Sequence, residues 1–338
     1  MKTELSTEQY ALRDGVRRLF EAEASPELQR ALWTTDTGRN PGVWKGLSEI
    51  GIPAILVPEE YGGLGGTEED LILILEEVGR FVVPDAILEA AFLAPTILTL
   101  AGTEEQKKTW LPQIAEGTVR ATVALAGTPY APDVHVSDIV IVEDDEGYLL
   151  LERADFTATA MTSMDIARRI AKVVPLPGAG TRITADDSVR AAVTARQNAG
   201  SACVLNGIAQ RMLDFSVAYA KVRKQFGRTI GSFQAIKAQL AQATANNVLA
   251  RAATHAAISK IVTGTGDAND SALLARIVAV EAEFESNRVT FQVHGGIAFT
   301  WEHDIQQWLK RGKILEQAHG GGNAHRLTAG RAGVAALA

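Results

Sequence analysis

The 338-residue chain holds one cysteine, Cys203, so no disulfide can close within it. Cys203 lies in an apolar, helix-like run, where a thiol reads as a small buried hydrophobe rather than a nucleophile. Such a chain suits a reducing cytoplasm. The opening residues "MKTELSTEQY" lack the apolar core of a signal peptide, and no stretch approaches the ~20 uninterrupted apolar residues of a membrane span. A soluble, cytoplasmic protein with no membrane partner is expected. Basic charge is also scarce. The net charge is −7 and aromatics make up only 6% of residues, without the interleaved basic and aromatic runs of a single-strand binder, so nucleic acid is not an expected partner.

Metal-ligand patterns are missing as well. The histidines (His135, His255, His294, His303, His319 and His325) include no i, i+4 pair, and no cysteine or carboxylate cluster completes a ligand set. No metal is expected. Nor does any serine sit in a recognisable nucleophile setting with a histidine and an acid.

What the chain does have is 46% hydrophobic and 22% charged residues, ordinary for a globular protein, at a length that suits two or three compact units. The first third reads as helical. "STEQ" at Ser6 to Gln9 has capping-box spacing, and "VWKGLSEIG" is a short helix stopped by Gly51. Thr67 can cap "EEDLILILEEVGRF", and Thr103 with Gln106 forms a second box. From Ala121 the period changes: "ATVALAG", "SDIVIVED", "GYLLLER" and "IAKVVPL" read as strands, and "SVRAAVTA" as one more. From Asn198 onward long alanine-rich segments carry apolar residues at three- and four-residue spacing, as in a four-helix bundle. The expected fold is mostly α with a small β domain, divided as an N-terminal helical domain (1–120), a shortened middle β-domain (121–197) and a C-terminal four-helix bundle (198–338).

Two glycine loops, "GGLGG" at Gly62 to Gly66 and "GGG" at Gly320 to Gly322, do not lie between a strand and a helix, so neither fits a Rossmann turn. Both fit plain turns better than ligand loops. "RKQFGRTIGSFQ" (Arg223 to Gln234) and "FQVHGGIAFTWEHD" (Phe291 to Asp304) combine guanidinium, amide and bare glycine backbone. That set suits a pyrophosphate and an adenine edge. Each segment alone fits helix-end capping and close packing as well.

Together with "VPEEYGGLGG" and "GTEEQKKTWLP", these segments resemble the landmarks of the acyl-CoA dehydrogenase family, in order and over nearly the whole chain. The resemblance implies FAD as cofactor and removal of an α-proton and a β-hydride from an acyl-CoA thioester. It implies that Arg223, Phe226, Gln234, Gln292, Gly295 and Gly296 contact the ADP half of FAD, across a subunit interface. The chain also departs from the family pattern. Where most members carry a tyrosine-glutamate-glycine turn with the catalytic glutamate, this chain reads Ala318, His319 and Gly320. Where some members place the base on the helix before the Arg-x-x-Phe-Gly segment, it has Gln197. Ala298 replaces a usual glycine, no tryptophan lies between Trp110 and Trp301, and the family's middle-domain motif is replaced by "ALAGTPYAPDVHVSD".

This pattern resembles the smaller, non-catalytic subunit of heterotetrameric acyl-CoA dehydrogenases, including steroid side-chain enzymes. It implies no catalytic residue here, FAD shared with a catalytic partner in an α2β2 assembly, and electron-transfer flavoprotein as the acceptor. The other readings are a self-sufficient flavoenzyme with His319 as base, and a flavin-free scaffold or acyl-CoA binder.

Overall fold

The computed structural model describes residues 5–125 and 129–335. The N-terminal helices are α1 (Thr7–Glu23), α2 (Pro26–Leu32), α3 (Pro41–Ile50) and α4 (Glu68–Arg80). Ser6 and Gln9 close the expected capping box on α1, and the Gln9 amide then donates to Asp70 at 2.9 Å, joining α1 to the start of α4. Gly51 ends α3 with φ +88°, a left-handed cap that glycine adopts without strain. Leu71 to Leu75 are all buried, so the middle of α4 is apolar all round and runs through the core between charged ends. After a turn at Val82, a π-helical segment, Leu88–Leu93, leads into α5 (Ala94–Ala101) and α6 (Glu104–Ala115). Thr103 and Gln106 cap α6 as expected.

The β region forms two sheets. β1 (Ala121–Ala124), β3 (Ile139–Asp144), β4 (Gly147–Glu152) and β7 (Thr181–Thr184) make one, in the order β1-β3-β4-β7. β2 (Tyr130–Pro132), β6 (Ile170–Pro175) and β5 (Phe156–Met161) make the other. β1 and β3 pair in parallel, and the other pairs within these sheets are antiparallel. The period-2 alternation of β3 gives each face its own core. Ile139 and Ile141 pack toward the helices, while Val140 and Val142 pack with Leu151 and Val173 between the sheets. Of the expected strand "ATVALAG", Ala126 and Gly127 lie outside the described residues.

"SVRAAVTA" is not a strand. Asp186 accepts a bond from the Val189 amide at 3.0 Å and caps α7, which runs from Asp187 to Val222. Val189 and Val193 fall four residues apart on one helix face, and the intervening alanines favour the helix. The change from strand to helix therefore comes before the boundary expected at 197. Beyond a short hairpin, β8 (Lys224–Gln225) and β9 (Arg228–Thr229), follow α8 (Gln234–Thr263), α9 (Ala268–His294), α10 (Ile305–Gln317) and α11 (Gly321–Ala335). Gln197 and Ser216 of α7 meet Arg276 and Thr290 of α9 in the same order, so these two helices run parallel, and α8 returns between their ends. No helix among the described residues is long and apolar enough to cross a membrane.

Two contacts join the units at backbone distance. A Cβ on Gly79 of α4 would lie 1.9 Å from the Val204 carbonyl oxygen, and one on Gly207 of α7 would lie 1.9 Å from that of Glu76. Only a glycine on each helix lets them cross so closely. Around the turn that follows α4, arginines from distant segments reach buried acids. Arg39 pairs with Asp133, Arg311 with Asp165 at 2.5 Å, Arg168 with Glu89 at 2.6 Å, and Arg120 with Asp85 at 3.5 Å. Arg311 also donates to the Val83 carbonyl at 2.8 Å, and the Ala86 amide donates to Asp133 at 2.8 Å. These bonds hold Val82, a β-branched residue at φ +43°, in a conformation it would otherwise avoid.

Glu283 on α9 is fully buried against Gly312 of α10, where an added Cβ would fall 1.7 Å from its Oε1. Burial pushes Glu283 up to about 8, with Lys313 opposing and Glu316 reinforcing the shift.

Two predictions follow from this packing. Gly207→Ala should cost about 1–3 kcal/mol or more, as overpacked cores do, while Gly330→Ala in open space should cost nothing; urea unfolding of both reads the difference. Glu283 keeps its proton in the folded state while the unfolded carboxyl loses it above about 4.5, so its contribution weakens stability as pH rises from about 4.5 to 8. Glu283→Gln should therefore be the more stable protein at pH 8, and the gap should close by pH 4.5 in melts across that range.

Candidate cofactor and substrate site

The sequence-derived candidates fall into two groups, at the two ends of α7. Gln197 and His319 form the first. Helix α10 ends in carbonyls that lack helical partners, and Arg276 of α9, 0% exposed, donates to those of Leu315 and Ala318 at 2.9 Å each. Its other terminal nitrogen donates to Gln197 Oε1 at 3.1 Å and Asn198 Oδ1 at 3.3 Å. One guanidinium thus ties Gln197 to the turn that carries His319. No carboxylate pairs with it among the described residues; the helix C-terminus supplies the compensating negative end of a dipole. Burial lowers Arg276 to about 10, which leaves it charged at neutral pH.

His319 itself adopts a left-handed conformation, φ 55° and ψ 46°. Its carbonyl accepts a bond from His325 Nε2 at 3.1 Å, while its Nδ1 is buried with no partner among the described residues. Burial first, then the nearby Arg276, Arg168 and His325, push His319 down to about 3. The imidazole is neutral at physiological pH and a poor proton acceptor. Gln197, buried, donates to Ser201 Oγ at 3.0 Å and offers no basic atom.

Both residues line a cavity of about 310 Å³ between the π-helical segment, the start of the β region, α7 and α10. A second cavity, about 360 Å³, lies toward α9 and α11 and shares Leu125, Gln197 and His319 with the first. The carboxylate in the first cavity is one that sequence reasoning missed. Glu89 sits on the π-helical segment, 5% exposed, paired with Arg168 from the β5–β6 loop. Its only sequence signal is an acid inside the apolar run "ILEAAFL". Arg276 carried no signal either, being one arginine in a helical pattern.

Arg223, Phe226, Gln234, Gln292, Gly295 and Gly296 form the second group. Tyr219 stacks on His294 with ring centroids 4.4 Å apart, which holds the end of α7 beside the end of α9. The hairpin projects from the first and the Gly295–Gly296 turn from the second. Phe226 and Gly227, at φ 52° and 77°, make a tight two-residue hairpin turn that leaves the Phe226 ring 91% exposed. Gly295, at φ 66° and ψ −144°, occupies a conformation open essentially to glycine alone. A Cβ on either Gly295 or Gly296 would meet nothing within 4 Å, so both backbones are open to a ligand. Arg223, Gln234 and Gln292 are exposed, and Arg223 has no ion pair among the described residues. The Gly295 N–H caps α9 by donating to the Phe291 carbonyl, so what the turn offers is exposed side-chain donors beside open glycine backbone, a set that fits a phosphate-bearing dinucleotide. By the helical rise, Arg223 lies roughly 40 Å along α7 from Gln197. No group of three or more potential metal ligands occurs among the described residues.

The electrostatics can be tested directly. His319 should remain neutral down to about pH 4 in an NMR titration, and Arg276→Met should move its midpoint upward by removing the nearest cation.

Comparison with known proteins agrees with this architecture. Residues 6–118 match the acyl-CoA dehydrogenase N-terminal domain, and residues 192–334 match the C-terminal domain of the same family. The chain is 38% identical over 308 residues to the acyl-CoA dehydrogenase IpdE2 of Mycolicibacterium smegmatis, covering 91% of this chain and 93% of that one. Its structure is similar to a chain of the ChsE4–ChsE5 complex from Mycobacterium tuberculosis, with TM-score 0.88, 23% identity and 98% of both chains covered. It is equally similar to a chain of a Tcur3481–Tcur3483 steroid ACAD variant, with TM-score 0.89, 23% identity, and 98% of this chain and 99% of that one covered. The chain belongs to the acyl-CoA dehydrogenase family.

Proposed function

We propose that this chain is the support subunit of a FAD-dependent acyl-CoA dehydrogenase, assembled with a catalytic chain of the same family as an α2β2 heterotetramer. The observation that carries this reading is the separation along α7. The open donor set around Arg223 and Gly295–Gly296 lies at the far end of α7, roughly 40 Å along that helix from Gln197, further than one dinucleotide reaches within one chain. It therefore serves a neighbouring subunit's flavin.

Arg223 holds the pyrophosphate against the open backbone of Gly295 and Gly296, Gln234 and Gln292 contact the adenosine portion, and the exposed Phe226 ring covers the cofactor edge. FAD bound there supplies the hydride acceptor for α,β-dehydrogenation of an acyl-CoA thioester, with electron-transfer flavoprotein as the next acceptor. The partner chain contributes the proton-abstracting base. In this chain the two positions that would hold a base are Gln197, which has no basic atom, and His319, which its burial and neighbouring cations hold at about 3. That protonation state also argues against a self-sufficient enzyme built on His319. A bulky acyl group, of steroid type, is the proposed substrate class of the assembly; its support is the resemblance to the steroid ACAD chain.

Flavin absorbance and native mass decide the matter. Purified alone the chain should be colourless, and co-expressed with its partner it should be yellow and tetrameric. Arg223→Ala should then cut flavin retention by the complex about tenfold or more, as loss of a charge-assisted phosphate contact does. A yellow, active single chain would overturn the subunit reading, and a colourless complex would overturn the flavin assignment.

A further inference from the structure

We propose that the polar cleft where α1, α4, α7 and α8 meet is a binding site for a small oxyanion of phosphate size. It lies outside the two groups of residues described above, and the inference does not depend on the flavin assignment.

Charge defines the ligand. Arg13 and Arg17 reach the cleft from α1, Arg80 from the last turn of α4 and Arg251 from α8, while Glu76 and Glu77 are the acids in its wall. Four positive charges against two negative ones leave that wall with an excess of two positive charges, in a protein whose net charge is −7. Asp14 and Asp214 pair with Arg13 and Arg80 from outside the lining.

The guanidinium groups are held in place yet keep donors to spare. Arg13 gives Nε and Nη2 to Asp14, Arg17 gives the same two to Glu77, Arg80 gives Nη1 to Asp214, and Arg251 gives Nε to Glu76. Each keeps a terminal nitrogen without a partner among the described residues: Nη1 of Arg13 and Arg17, Nη2 of Arg80, and both in Arg251. The four side chains are 21–47% exposed, so the groups are open to solvent rather than sealed in the core. Because the acids already order these side chains, an incoming ion meets a preorganised site. Donors arriving from three helices suit a ligand that only accepts and has oxygens on several sides, and guanidinium–oxyanion bonds are of the stronger, charge-assisted kind. A volume of about 140 Å³ admits such an ion with a few waters, and falls short of the ~300–1,000 Å³ of sites for larger organic ligands. An ion held there bridges the N-terminal helices to the bundle, beside Gly207 where α4 and α7 cross.

Calorimetric titration of the full-length chain with inorganic phosphate, at constant ionic strength made up with sodium chloride, tests the proposal. The Arg223→Ala chain is the background throughout, so that phosphate at the hairpin end does not contribute. One saturable site should appear. Arg13→Gln should weaken it about tenfold, as loss of one charge-assisted bond does, since this change unpairs only the exposed Asp14. Arg251→Gln should weaken it to a similar degree, with Glu76 keeping His255 as a partner at 3.3 Å. Arg288→Gln, in a surface pair on α9, should leave it unchanged. Absence of saturable binding, or binding that either Arg13→Gln or Arg251→Gln leaves intact, overturns the proposal. So does an equal loss in Arg288→Gln, which would report bulk charge and not a site.

Discussion

Buried guanidinium–carboxylate pairs that cross from one unit to another are the constraint on which the rest of this molecule depends. Taking an ion from water into a protein interior costs several kcal/mol, and the cost is recovered only where the partner geometry is good. Here Arg39 comes from before α3, Arg311 from α10, Asp165 and Arg168 from the β5–β6 loop, and Glu89 from the π-helical segment. None of these charges can be left without its partner. The helical and β units must therefore meet in one arrangement, and a slipped contact would strand several charges at once. The 310 Å³ cavity lies within this frame, and the Arg168–Glu89 pair is part of its wall. Its shape follows from the same ion pairs that join the units.

Arg276 obeys a different logic. It is as buried as Arg311 but faces carbonyl and amide oxygens instead of an acid. Its neighbours accept from both terminal nitrogens, while Nε has no partner among the described residues, and the C-terminal end of α10 offsets part of its charge. What it secures is the shape of the turn at His319. What it costs is basicity: burial already disfavours a charged His319, a fixed cation close by disfavours it further, and the imidazole falls to about 3. Geometry and proton affinity are opposed at this turn, and geometry prevails.

Local signals in the sequence were readable wherever one residue fixes its own neighbourhood. The boxes at Ser6 and Thr103 and the stop at Gly51 each depend on atoms within four residues, and each forms as read. Three strands of the main sheet, β1, β3 and β4, were legible from β-branched or leucine runs, because β3 must bury both of its faces. The misreading of "SVRAAVTA" came from weighing its valines by residue type rather than by their four-residue spacing, and from passing over Asp186 as a cap. The narrow edge strands β2, β5 and β7 gave little signal, since the exposed residues of β5 carry no alternation. Of the candidate site, His319 and Gln197 could be singled out only by family resemblance. That Arg276 joins them, and that Glu89 faces them across a cavity, depends on contacts between residues scores of positions apart, which no local pattern encodes.

The length of α7 turns these separate features into one argument. A single 36-residue helix carries Gln197 near one end and Arg223 at the other, and its rigidity fixes the distance between them. Gly79 and Gly207, crossing at backbone contact, hold α4 against its middle. Tyr219 on His294 holds its far end to α9. No hinge along this helix can bring the two groups of residues together, so a chain of this design cannot complete one extended cofactor site from both ends of its own bundle. At the Arg223 end the unfilled positions are donors suited to phosphate. At the Gln197 end there is a largely aliphatic chamber walled by the Arg168–Glu89 pair. Low proton affinity at His319, set by burial and by Arg276, leaves the open glycine turn and the hairpin at the first end untouched, so the two ends of one rigid helix can change independently.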